Sequence, residues 1–83
     1  MEPERRTIRG TVARARIAPG SKSDRVGVVL RADDGEEYVL RRRGGNAFRD
    51  PTLEQLVGSV IRATGSTADR HFLMDDWDVE GGR

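Results

Sequence analysis

Cysteine is absent from this 83-residue chain. No disulfide can cross-link it, and no thiolate can act as nucleophile or soft metal ligand. Histidine occurs once, so imidazole chemistry would rest on His71 alone. Aromatic residues make up only 5% of the chain: Tyr38, Phe48, Phe72 and Trp77. No apolar run approaches the roughly 20 residues that span a bilayer as a helix. The opening Met1-Glu2-Pro3-Glu4-Arg5-Arg6 is charged and no apolar stretch follows it, so it does not read as a secretory signal, and the cytoplasm is expected. A single domain this short buries only about 60% of its unfolded surface. Its stability is expected from a sheet that closes on itself, from a packed helix, or from a partner.

Charge is what the sequence has in quantity. The formal total is only +1, but residues 1–49 hold 12 basic and 7 acidic side chains, while residues 50–83 hold 3 and 7. The first part is therefore net +5 and the second net −4. Such a split fits a basic binding face with an acidic counterweight, and equally two solvated surfaces of opposite sign. Fourteen of the 15 basic residues are arginine, a bias that suits a coding preference as well as phosphate binding.

The hydrophobic pattern is that of short strands. Thr7 to Ile17 reads as one long strand: Ile8 and Val12 share one parity, Ala13, Ala15 and Ile17 the other. That slip predicts a β-bulge near Val12–Ala13, with Gly10 permitting a bend. Turn residues fill 18–24. From Arg25 to Ala32, Val26, Val28, Leu30 and Ala32 alternate with Arg25, Gly27, Val29 and Arg31, a period of two. Asp33-Asp34-Gly35-Glu36 is a hairpin turn. The third strand, Glu37 to Arg43, is read with Tyr38 and Leu40 inward, because the opposite choice buries arginines; Arg42 then falls near the rim. Gly44-Gly45-Asn46 ends it. Asp50 is a suitable N-cap and Pro51 a suitable first residue for a short helix whose apolar face is Leu53, Leu56 and Val57, ending at Gly58. Phe48 is expected to plug the floor beside it. Strand four is read as Ser59 to Thr64 with Ile61 and Ala63 inward, residues 65–70 as a loop, and strand five as His71 to Val79. In that last strand Phe72 and Met74 have one parity, Trp77 and Val79 the other, which predicts a bulge near Asp75–Asp76. Residues 7–79 form the expected domain, with 1–6 and 80–83 as flexible termini.

The fold class expected is all-β: a five-stranded Greek-key barrel of order β-β-β-α-β-β, with one short helix between strands three and four. That order resembles the OB-fold superfamily. The passage from Leu56 through Gly65 looks like the helix-to-strand-four segment of small bacterial OB domains, and Phe72 to Val79 is similar to their last strand. The resemblance covers almost the whole chain and is one of pattern.

Catalysis finds no support in the residues. His71 begins a strand with no evident orienting partner. Gly20-Ser21-Lys22-Ser23 lacks the two further glycines of a phosphate-binding loop. Asp76, Asp78 and Glu80 alternate along the last strand, but as its solvated side. A non-enzymatic module with no metal and no cofactor is expected. The resemblance implies a ligand surface on strands two and three, flanked by the loops joining strands one to two and four to five. On the parities above that surface carries Arg25, Arg31, Arg41 and Arg43, with Lys22 and Arg70 on the flanking loops. The expectation is weak, backbone-directed binding of single-stranded DNA or RNA by a monomer that engages no membrane. Two features oppose it: the aromatic residues read as core, and Asp33, Asp34, Glu36 and Glu37 crowd the hairpin. The competing expectation is a protein-interaction or assembly module, whose partner would add at an exposed strand edge.

Overall fold

A computed structural model describes residues 5–17, 20, 22, 25–45 and 50–82. Five strands, β1 (Arg5–Ile17), β2 (Arg25–Ala32), β3 (Glu37–Arg42), β4 (Ser59–Ala68) and β5 (His71–Gly82), close in the order β1-β2-β3-β5-β4. The helix α1 (Pro51–Leu56) lies between β3 and β4. All neighbours are antiparallel except β3 and β5, which run parallel because α1 and β4 intervene in the chain. The all-β class, the element order and the position of the helix are those the sequence predicts.

The core follows the predicted inward parities. Val28, Leu30 and Ala32 of β2, Tyr38 and Leu40 of β3, Ile61 and Ala63 of β4, and Phe72 and Met74 of β5 are buried together with Ile8 and Val12. Tyr38 and Phe72 meet at a tilt, centroids 6.1 Å apart. Leu53 and Leu56 of α1 cap this core, and Val57 packs partly against it. Asp50 starts the helix as expected: its Oδ1 accepts from the Thr52 amide at 3.0 Å, and Pro51 needs no such acceptor. Gly58 turns the chain at φ +93° and donates its amide to Val12 O at 2.8 Å. Phe48 lies outside the described residues.

The structure corrects several boundaries. No bulge interrupts β1; its register with β2 is continuous from Gly10↔Ala32 to Ile17↔Arg25. The parity of burial changes because β1 passes from one neighbour to another. Residues 5–11 pair with β4, and beyond Val12 the strand keeps only β2. There the inward row runs out of the barrel, leaving Arg14 and Arg16 exposed, while Ala13, Ala15 and Ile17 are half-covered. Residues 65–68 are strand, not loop, paired on to Ala68↔His71, so only Asp69 and Arg70 form the turn. Gly65, which reads as a breaker, is required by a close approach: a Cβ there would stand 2.0 Å from Leu73 O. Arg5, Arg6 and Glu80 to Gly82, expected to be flexible, belong to β1 and β5. Their pairing with β4 satisfies backbone groups that a frayed end would leave to water.

The predicted bulge in β5 is present. Thr64 pairs with Asp76 and Gly65 with Met74, so Asp75 has no partner in β4. A second one, not predicted, skips Glu80 between Ile61↔Val79 and Val60↔Gly81. Together they let Trp77 turn inward after Met74 and let the strand coil around the barrel.

Candidate nucleic-acid interface

The outward residues of β2 and β3 are Arg25, Gly27, Val29, Arg31, Glu37, Val39 and Arg41, opposite in parity to the core. Register sets Ala13, Val29, Val39 and His71 in one row across four strands. Val29 is only 2% exposed yet stands apart from the interior cluster, so this outer row is itself an apolar floor. At one end of the floor the Ile17 side chain occupies the space a Gly27 side chain would need, 2.2 Å from the position of its Cβ. The sequence does carry a signal for it. Val28-Val29-Leu30 and Tyr38-Val39-Leu40 are apolar on both parities, and a strand with one solvated face should alternate.

The six predicted cations divide into two groups. Arg31 donates its Nε to Glu37 Oε2 at 2.9 Å, and Arg43 donates to Asp75, which Arg5 also engages. Arg43 lies one residue past β3, in the turn. Both guanidiniums are therefore partly neutralised at short range. Lys22, Arg25, Arg41 and Arg70 have no carboxylate partner among the described residues. Arg25 lies along the face, its Nε 3.9 Å from the Cβ position of Gly27. Arg41 is half-buried beside Leu73, with its Nε buried and unpartnered. Arg70 occupies the β4–β5 turn, and its carbonyl accepts from the Val39 amide at 2.7 Å, which fixes that turn against the centre of the face. Lys22 stands exposed in the β1–β2 connection.

Elsewhere the acids hold the arginines. Arg9 donates to Asp33 and to Glu80, each at 2.7 Å, and Arg62 meets the other Glu80 oxygen at 2.8 Å. The hydrogen bond from Arg9 holds the Glu80 carboxyl below the usual range, with Arg62 adding to it. Asp75 is held low by the hydrogen bond from Arg43 and then that from Arg5. Glu80 thus serves this network rather than a row of metal ligands with Asp76 and Asp78. Asp33, expected to repel phosphate from the hairpin, is turned to Arg9.

Among the described residues, no phenylalanine, tyrosine or tryptophan lies on the floor. Tyr38 faces inward, as predicted, with its hydroxyl 3.3 Å from Arg6 Nη1. His71 is the only ring in the row, and its Nδ1 lies 3.0 Å from Asp69 O. No known protein family, no curated protein and no solved structure matches this chain.

Proposed function

We propose that this chain is a non-enzymatic, OB-like binding module that takes a single-stranded nucleic acid across the outer face of β2 and β3. The observation carrying this reading is the separation of the cations: among the described residues most arginines are paired, while Arg25, Arg41 and Arg70, which have no carboxylate partner, border one apolar row, with Lys22 beyond it in the β1–β2 connection. Phosphates lie against these four while sugars and base edges pass over the half-exposed Ala13, Val39 and His71 of the row, with the buried Val29 beneath them. Without stacked bases, worth about 1–3 kcal/mol each, affinity is weak and indifferent to sequence. Fluorescence anisotropy with labelled single-stranded DNA and RNA over a range of salt tests it. With three or four phosphates neutralised, the slope of log K against log salt should be about −2 to −3. Absence of binding at low salt rejects the reading.

One observation favours the competing reading of a protein-interaction module. Residues 13–17 of β1 pair only with β2, and residues 25–28 of β2 only with β1, so this two-stranded extension has both edges open among the described residues. Val26 lies on it, 68% exposed. A second chain adding there as a strand would give concentration-dependent association in sedimentation. A monomer at every concentration removes self-association as the form of that reading.

A further inference from the structure

A cleft of about 220 Å³ opens at the end of β3. Pairing with β2 stops at Val39, while pairing with β5 continues to Arg42, so the strand parts from one neighbour there. Leu40, Leu53 and Leu73 supply apolar wall, and Arg41, Arg42 and Arg43 supply charge. Two of these guanidiniums are engaged, Arg42 by Asp50 and Arg43 by Asp75. Arg41 is not. Its Nε is buried with no hydrogen-bond partner among the described residues, although a guanidinium keeps its charge and all five donors in a protein. The burial of Nε marks a packed stem, which leaves the terminal nitrogens with few orientations to lose on binding.

We propose that this cleft binds a small organic anion, a phosphate or carboxylate group on a short apolar stem, with Arg41 as its cation. The volume is below the roughly 300–1,000 Å³ of sites for drug-sized ligands, so only a small molecule fits. The leucines favour a stem over a fully hydrated ion, and the guanidinium fork suits either head group. Arg41 also belongs to the face assigned to the strand, so the anion and the strand compete for it. That competition rests on the strand-binding reading; the cleft does not.

Amide NMR with butyl phosphate and with hexanoate tests the site directly, acetate and hexanol serving as the stemless and uncharged controls. The amides of Gly44, Gly45, Leu53 and Leu73 should shift saturably with the stemmed anions and far less with either control. Of the two, the anion that saturates at the lower concentration identifies the head group. Arg41→Gln should weaken binding by about tenfold or more while melting stays unchanged, and Arg41→Lys should restore part of it. Shifts scattered over every exposed arginine, an equal response to hexanol, or unchanged binding by Arg41→Gln would overturn the proposal. In a second arm, butyl phosphate should displace labelled single strand beyond the effect of chloride at equal ionic strength. Filling of the cleft without displacement refutes the competition alone, and absence of strand binding in buffer refutes only the nucleic-acid reading.

Discussion

Arg42 grips Asp50 with two nitrogens, Nε at 3.1 Å from one carboxylate oxygen and Nη2 at 3.2 Å from the other. The same carboxylate caps α1 through the Thr52 amide. One side chain, itself only 3% exposed, therefore ties the end of β3 to the start of the helix. Gly45 is glycine for this reason: a Cβ there would stand 2.0 Å from Asp50 Oδ2. Losing an N-cap costs about 0.5–2 kcal/mol, and breaking a fully buried pair about 3–5 kcal/mol. Arg42 keeps some contact with water, so Asp50→Ala should destabilise by about 2–3 kcal/mol and Asp50→Asn, which retains the cap, by about half of that. Urea unfolding of the two variants measures both.

The two bulge residues make the fold sensitive to acid. Asp75 and Glu80 are each unmatched in β4, and each accepts from two arginines. Both carboxyls are depressed in the folded protein relative to the free side chain, the Arg43 and Arg9 hydrogen bonds being the leading causes. The unfolded chain thus binds more protons than the folded one around the ordinary carboxyl pKa of about 4. Stability from these groups is complete above that value and is lost as the pH falls through the lower folded pKa values. Melting temperature should be flat from about pH 8 to 5 and decline below about pH 4. Half-molar salt should shrink the decline by screening these exposed pairs. Asp75→Asn should flatten it in melting curves, and an unchanged acid limb in that variant would show that its pairs contribute nothing.

The β4–β5 turn holds two non-glycine residues at positive φ, Asp69 at +47° and Arg70 at +67°. A two-residue turn between paired Ala68 and His71 needs this geometry, which Asn-Gly meets most easily. The left-handed region costs an ordinary residue about 1–2 kcal/mol, part of which glycine returns as unfolded-chain entropy. Arg70→Gly should therefore stabilise by about 0.5–1 kcal/mol, raising the melting temperature by several degrees in a domain of this size. The same variant loses one unpaired cation, so calorimetry should show a gain in stability where anisotropy shows weaker strand binding.

What the sequence makes legible is parity, and parity carried the core. Leu30, Leu40, Ile61 and Phe72 are all inward as read, and the Met74-to-Trp77 slip located the Asp75 bulge. Parity does not say how far along a strand the barrel extends. Val26 shares a face with Leu30 yet is exposed, because β2 there has left the barrel. Val79 has the inward parity of Ile61, its partner, but is 57% exposed. Composition misled at Gly65-Ser66-Thr67, where polarity that suggests a loop belongs to a strand, its first two residues paired with both β1 and β5 and Thr67 with β5. The candidate face was legible as a set of arginines, but which of them are free was not. Arg43 and Asp75 are 32 positions apart in sequence, and only closure of the barrel brings them together.

That distinction separates the strand-binding residues from their neighbours. If the free guanidiniums contact phosphate, Arg25→Gln and Arg41→Gln should each weaken single-strand binding and make the salt slope shallower by about 0.7, the counterion release of one phosphate. Arg31→Gln and Arg43→Gln should change it far less, because Glu37 and Asp75 already hold those side chains and would have to be displaced by phosphate. One acid variant sharpens the contrast. Glu37→Gln frees Arg31 at the edge of the floor, so it should strengthen binding and steepen the slope by up to about 0.7. Its pair with Arg31 is exposed and contributes at most about 1 kcal/mol, so folding should survive the change. Anisotropy titrations of these five proteins at matched salt decide the matter. Equal losses for Arg25, Arg31, Arg41 and Arg43 would mean that net charge alone governs binding and that the floor between Val29 and Val39 has no part in it.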